Sequence, residues 1–139
     1  MCVDANITEY IIPKSVTSIV WNAFVNCDKL SSIILPENVT SIDSRAFSSC
    51  YNLAKLIVHE NNKVYSSVDG ILFNKDKTEL LKCPTGKEGD CFVPQSVKSI
   101  ADGAFYNCGR LTSIIIPATV TNIDDIYYEY NVKVIILDE

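Results

Sequence analysis

Apolar positions along this chain recur in one fixed frame. Pro13, Val16, Ser18, Ile19, Ala23, Phe24, Cys27, Leu30, Ile33 and Leu35 return 23 positions later as Pro36, Val39, Ser41, Ile42, Ala46, Phe47, Cys50, Leu53, Leu56 and Val58. The frame appears again as Pro94, Val97, Ser99, Ile100, Ala104, Phe105, Cys108, Leu111, Ile114 and Ile116, and restarts at Pro117, Val120 and Ile123. Read backwards from Pro13, it puts Ile7, Tyr10 and Ile12 in the slots of Leu30, Ile33 and Leu35. A fixed period in the twenties indicates stacked structural repeats. Within each unit, Leu-x-x-Ile-x-Leu/Val alternates at period two and predicts a short strand, which the following Pro ends by removing a backbone donor. Val-x-x-Ile and Ala-Phe-x-x-Cys-x-x-Leu are spaced by three and four, which predicts a tight turn and one inward-facing helical turn.

One repeat is then one coil of a solenoid. A single coil cannot bury its apolar side, so stacking must align equivalent residues into ladders about 4.8 Å apart. The expected coils are 1–12 (partial), 13–35, 36–58, 59–93, 94–116 and 117–139, all within a single domain over 1–139. The coil that starts at His59, in a Pro slot, is 35 residues long, 12 more than its neighbours. Val64–Phe73 and Leu80–Cys83 have strand composition and flank the polar segment Asn74–Thr78, which predicts an inserted hairpin projecting from the convex side. Cys91-Phe92-Val93 would return the chain to the sheet, with Cys91 in the slot of Ile33, so that the sheet continues through the insertion. After Ile123 the frame degrades: Tyr127 and Tyr128 stand in the Ala and Phe slots and Asn131 in a Cys slot, while Val134 and Leu137 still match. With Asp124, Asp125, Asp138 and Glu139 this predicts a terminal cap that blunts the last edge.

The unit resembles the repeat of the BspA-like leucine-rich repeat family of bacterial and protist surface proteins, Pro-x-x-Val-Thr-Ser-Ile-x-x-x-Ala-Phe-x-x-Cys-x-x-Leu. The resemblance is carried by Pro13 to Leu35, Pro36 to Val58 and Pro94 to Ile116, and Tyr65 to Asp76 is similar to that family's inserted hairpin. It implies an α/β repeat fold: a right-handed leucine-rich-repeat solenoid with a parallel concave β-sheet, short helical turns on the convex side and one inserted β-hairpin. It also implies a cell-surface or secreted protein engaged in adhesion.

Composition narrows the function. With 139 residues, 47% apolar and 21% charged, the chain has enough apolar side chain for a core and is too apolar to be disordered. A net charge of −5 argues against nucleic acid, whose binding is driven by clustered Lys and Arg. The first fifteen residues lack the basic start, apolar run and cleavage site of a signal peptide. Apolar runs such as Ile33–Leu35 and Ile114–Ile116 fall far short of the roughly twenty residues that span a bilayer, so membrane insertion is not expected.

Candidate chemistry is sparse. Cys27, Cys50 and Cys108 share one phase of the repeat, which predicts small buried ladder residues with reduced thiols. Cys83 and Cys91 bracket residues 84–90; a disulfide is sterically conceivable there, and spacing alone leaves it open. His59, the only imidazole, reads as exposed at a strand end, with no identified thiol beside it. Gly86-Lys87 lacks the context of a phosphate loop. Asn74, Asp76 and Thr78 alternate like calcium ligands without the Gly and Glu such a loop needs. No acid, base and nucleophile converge, so no enzyme, catalytic residue, metal or cofactor is assigned.

The remaining signal is geometric. Between the two buried slots of each strand one residue must point outward, and those residues are Ile11, Ile34, Ile57, Phe92 and Ile115. Two positions earlier lies a polar row, Glu9, Ser32, Lys55, Asp90 and Ser113. An apolar band with a polar border has the composition of an interaction surface. The expected function is a non-catalytic protein-binding domain whose concave face, with Lys55 at its rim, engages a protein ligand such as a host extracellular protein. The alternative is a structural spacer in a larger surface protein. The oligomeric state is not specified by the repeat.

Overall fold

The computed structural model describes residues 6–24, 27–48, 50–123, 126 and 128–137. In chain order its strands are β1 (Glu9–Ile11), β2 (Ser18–Ile19), β3 (Ser32–Leu35), β4 (Ser41–Ile42), β5 (Lys55–Val58), β6 (Tyr65–Val68), β7 (Ile71–Asn74), β8 (Glu79–Lys82), β9 (Gly89–Phe92), β10 (Ser99–Ile100), β11 (Leu111–Ile116) and β12 (Lys133–Ile136). The period-two segments form parallel sheets in the predicted frame. Tyr10 pairs with Ile33, Ile33 with Leu56, and Cys91 with Ile114. The short Ser-Ile segments form a second wall, where β2 lies parallel to β4 and β8 parallel to β10. Between the walls the ladder residues are buried: Leu30, Ile33, Val39, Leu56, Val97 and Ile114 are all at or near zero exposure. Phe24 stacks on Phe47 with ring centroids 5.7 Å apart, and Tyr10 meets Phe24 edge-on at 5.9 Å.

The turns that close each coil are not helical. Ala46 N donates to Asp43 O, Ser48 N to Arg45 O, Cys50 N to Phe47 O and Leu53 N to Cys50 O, each spanning three residues. These are successive tight turns without the four-residue bonds of an α-helix. Left-handed backbone at Asn22, Gly103 and Asn107 further breaks any helical run. The expected helical turns on the convex side are therefore corrected to a chain of β-turns. Spacings of three and four fit either.

The insertion departs furthest from expectation. It is two consecutive hairpins, because Val64–Phe73 is itself folded at Asp69-Gly70, where both residues take positive φ (54° and 81°) as a two-residue hairpin turn requires. β6, β7, β8 and β10 make one four-stranded sheet. Nor does the insertion project: Ile71, Leu72 and Phe73 in β7 are all buried. Leu72 packs into the N-terminal core with Phe47 and Leu56, whereas Ile71 and Phe73 pack into the C-terminal core with Cys91 and Phe105. β7 is thus a partition between two cores.

The partition also interrupts the parallel sheet. On β5, Lys55 N and His59 N donate toward β3, while Leu56 N donates to Gly70 O (2.8 Å) and Val58 N to Ser67 Oγ (2.9 Å). These donors are the ones a continuing strand would have used. The sheet is accordingly two three-stranded pieces, β1-β3-β5 and β9-β11-β12, and not one continuous sheet.

The last coil is shorter than its frame predicts. Ile114 pairs with Val134 and Ile116 with Ile136, an offset of 20 in place of 23. Val134 therefore takes the slot expected for Leu137, and Leu137 lies exposed beyond the strand. Of the expected cap, Asp124, Asp125, Tyr127, Asp138 and Glu139 lie outside the described residues.

Candidate functional site

The outward residues occupy the expected strand phase, split between the two sheets. Ile11, Ile34 and Ile57 are register partners across β1-β3-β5. Phe92, Ile115 and Ile135 are partners across β9-β11-β12. Ile11 is 64% exposed, Ile57 38% and Phe92 65%, while Ile34 and Ile115 are half-buried between neighbouring strands. Ile57 and Phe92 were expected on successive strands. The hairpin corrects this, since its backbone occupies the free edge of β5. Ile135 completes the second row and was missed because the frame counted at 23 places it elsewhere.

The polar row follows the same division. Ser32 Oγ donates to Glu9 Oε2 at 3.2 Å, and Ser113 Oγ donates to Asp90 Oδ1 at 2.7 Å. Lys55 and Lys133 hold the third places, so each sheet carries an acid, a serine and a lysine in strand order. Lys55 is exposed, with the Gly70 turn against its backbone. At the strand ends, Ile11 and Ile34 continue into a groove of about 300 Å³ whose polar members are Lys14, Glu37 and His59. His59 is exposed, and its Nδ1 accepts a hydrogen bond from Asn61 N.

The cysteines divide into two groups. Cys50, Cys83, Cys91 and Cys108 are free and buried, so the Cys83–Cys91 disulfide is not formed. Cys27 is disulfide-bonded, to a partner outside the described residues, which corrects its expected reduced state. Its slot still packs it into the core; a shared phase specifies burial and not redox state. Cys83 sits among thiols, and hydrogen bonding with Cys108 and Cys91, reinforced by burial, raises its pKa well above the ordinary thiol value. Burial also lowers Lys82 beside this group. No group of His, Cys, Asp and Glu suited to a metal occurs among the described residues. Asn74, whose alternation with Asp76 and Thr78 suggested cation ligands, spends its carboxamide on the turn: Oδ1 accepts from Thr78 N and Glu79 N, and Nδ2 donates to Thr78 Oγ1.

The profile of the BspA type leucine rich repeat region matches residues 2–135 in six copies. The chain belongs to the BspA-type leucine-rich repeat family. Among solved structures, this BspA-type chain is similar to a leucine-rich repeat protein from Eubacterium ventriosum, with a TM-score of 0.66 and 27% identity over 81% of this chain and 37% of that one. It is also similar to the pneumococcal vaccine antigen PcpA, with a TM-score of 0.65 and 26% identity over 82% of this chain and 35% of that one. A leucine-rich cell surface protein from Faecalibacterium prausnitzii shares the fold, with a TM-score of 0.60 and 24% identity over 84% of this chain and 37% of that one. The BspA-type chain thus spans little more than a third of each of these proteins. Among curated proteins none matches it. The family matched is a repeat family and not a catalytic one. No helix among the described residues is long and apolar enough to cross a membrane.

Proposed function

We propose that this BspA-type chain, as one repeat domain over residues 1–139, is a non-catalytic protein-binding module of a cell-surface or secreted protein. The outward sheet face is its contact surface. The observation that supports this reading is the outward apolar row, Ile11–Ile34–Ile57 and Phe92–Ile115, in which Ile11, Ile57 and Phe92 are exposed and Ile34 and Ile115 half-buried, bordered by Glu9, Lys55 and Asp90. Isolated exposed apolar residues need no explanation, but a row in register across several strands is a patch. Phe92 is the anchor. It is the sole aromatic in the row, and truncating an aromatic anchor commonly weakens binding by about 2 kcal/mol, or thirtyfold. A protein ligand, including a host extracellular protein, is the partner class this surface suits; similarity to a leucine-rich cell surface protein supports the location. The interruption between Ile57 and Phe92 favours a second reading, a spacer without a ligand, because it cuts the row into two shorter patches.

The test is binding of the chain to a panel of purified extracellular proteins by surface sensor. Wild type, Phe92→Ala and Ile34→Asp/Ile57→Asp are compared, each first shown to be folded. The sheet-face reading expects binding that Phe92→Ala weakens about thirtyfold. Unchanged binding by both folded variants removes the sheet face from the reading, and absence of any ligand favours the spacer.

A further inference from the structure

The second wall of the solenoid has a gap in its middle, and we infer that the gap is a covalent ligand site, in which the amine of Lys82 forms a reversible imine with a small apolar aldehyde seated between β4 and β8. The wall consists of β2-β4 and of β8-β10, and among the described residues no strand pairing joins β4 to β8. The forward edges of the two pieces are closed differently. Ile100 N donates to Asn122 Oδ1 at 3.1 Å and Ile100 O accepts from Asn122 Nδ2 at 2.8 Å, so one carboxamide covers both backbone groups. In the same slot of its own coil, Ile42 N donates to the Tyr65 hydroxyl oxygen at 3.1 Å. Asp43 N donates back to Ile19 O, and a trans peptide turns the Ile42 carbonyl the opposite way, toward the gap. No hydrogen bond reaches that carbonyl among the described residues. The edge of β4 is thus only half closed.

What lies beyond it is a cavity of about 170 Å³ with apolar walls from Ile42, Phe47, Leu72 and Leu81. An apolar cavity of about 150 Å³ takes up benzene, so a small aryl group fits. Lys82 lines the same cavity, partly buried, and its amine has no hydrogen bond or ion pair among the described residues. Burial lowers its pKa, against smaller opposing effects of the Cys108 and Cys83 thiols, so at a given pH more of this amine is neutral than on an exposed lysine. The other ionisable groups at the cavity are Tyr65, Asp43 and Asp102. Asp43 is engaged by Arg45, whose backbone N donates to Oδ1 at 2.8 Å, and Asp102 is exposed. Two carboxylates beside the cavity repel an anionic ligand, which leaves a neutral carbonyl compound as the class an amine here would capture. A desolvated lysine in an apolar pocket is an activated nucleophile. The step balances without a redox partner: the Nζ lone pair attacks the carbonyl carbon, a proton passes from nitrogen to the oxygen, and that oxygen leaves as water as the C=N bond forms.

Reductive trapping tests this. The full chain is incubated near neutral pH with benzaldehyde and cyanoborohydride, which reduces the imine to a stable secondary amine, and the labelled lysines are mapped by peptide mass spectrometry. Lys82 is expected to be labelled about tenfold faster than the exposed Lys55, Lys63 and Lys98. Formaldehyde carries no group to fill the cavity and separates the seat from the reactivity of the amine itself: with it the preference for Lys82 should fall severalfold. Ala101, in the turn after β10, also lines the cavity. Ala101→Leu, first shown to be folded, should fill it and slow benzaldehyde labelling of Lys82 while leaving Lys55 unchanged. Labelling of Lys82 no faster than that of Lys55 overturns the inference. So does an equal preference with both aldehydes, a comparison that needs no variant, and so does a folded Ala101→Leu protein labelled like wild type.

Discussion

Asn62 stands one coil beyond Val39 in the buried valine ladder, and its Nδ2 donates to the Val39 carbonyl oxygen at 2.9 Å. The same nitrogen donates to Pro36 O at 3.0 Å, while Oδ1 accepts from Val64 N and Tyr65 N. All four bonds are made with the residue fully buried. The amide thus ties the regular coil below to the chain entering β6, and the hairpins leave the frame here.

Asn62→Val restores the residue type of the ladder, yet it should destabilise. It strands the Val64 and Tyr65 amide donors and the Val39 carbonyl, and leaves Pro36 O with only the longer bond from Val39 N at 3.5 Å; a buried polar group left unpaired costs about 1–3 kcal/mol. The expected loss is about 2–4 kcal/mol in urea unfolding, with most of the change in midpoint. A neutral or stabilising effect would mean that the hairpins hold their place without this amide.

Much of this architecture was legible from the repeat. Ile33, Leu56 and Ile114 lie where the frame puts them because a solenoid ladder leaves one register open to each coil. The insertion was less legible because its signals are local and compete. Asp69-Gly70 is a hairpin turn signal inside Val64–Phe73, but the apolar run Ile71-Leu72-Phe73 drew the whole segment into one strand. That run is the mark of a strand buried on both faces, as β7 is. Asn62 in a valine slot was the sequence sign of the departure. In the last coil Val134 and Leu137 are both apolar, so the shorter offset could not be told from the regular one. The outward row was legible in phase but not in continuity, since nothing in Ile57 or Phe92 records what occupies the edge of β5.

Gly86 tests how the partition is seated. Its backbone lies so close to the coil before it that an added Cβ would stand 2.5 Å from Asn52 C and 2.8 Å from Leu53 O. Its own N donates to Leu53 O at 2.7 Å. These neighbours are backbone and cannot swing aside. Gly86→Ala should therefore destabilise by about 1–3 kcal/mol, the usual range for overpacking, whereas Gly103→Ala, with open space around it, should show only the smaller cost of its positive φ. Thermal denaturation of the two variants side by side distinguishes close approach from backbone conformation. Equal losses would remove the packing argument.

The thiols predict a labelling pattern. Cys50, Cys83, Cys91 and Cys108 are free and buried, so all four should resist an alkylating reagent in the native state and react together on denaturation. Cys27 should react only after reduction as well. Peptide mapping after native and denatured labelling reads each site. Fast native labelling at Cys91 or Cys108 would mean that the C-terminal core opens locally.

Alkaline stability should carry the signature of Cys50. Burial, with a smaller effect of the Asp28 carboxylate, raises its thiol from an ordinary 9.0 to about 11, and the protonated sulfur donates to Phe24 O at 3.4 Å. Between those values the unfolded chain has lost this proton and the folded chain keeps it. The unfolded state therefore binds fewer protons and stability falls as pH rises. The contribution is intact below pH 9 and is lost as pH climbs through about 11, by an amount on the order of 2 kcal/mol. Tyr65 is raised by burial in the same direction and adds to the slope. Cys50→Ala keeps Tyr65 and every other titrating group, so its unfolding free energy should start lower at neutral pH and decline less steeply from pH 9 to 11. Urea unfolding of both proteins at matched pH gives the two slopes. Parallel slopes would show that Cys50 ionises as readily in the fold as outside it, and would displace it from the ladder position between Phe24 and the turn that follows Phe47.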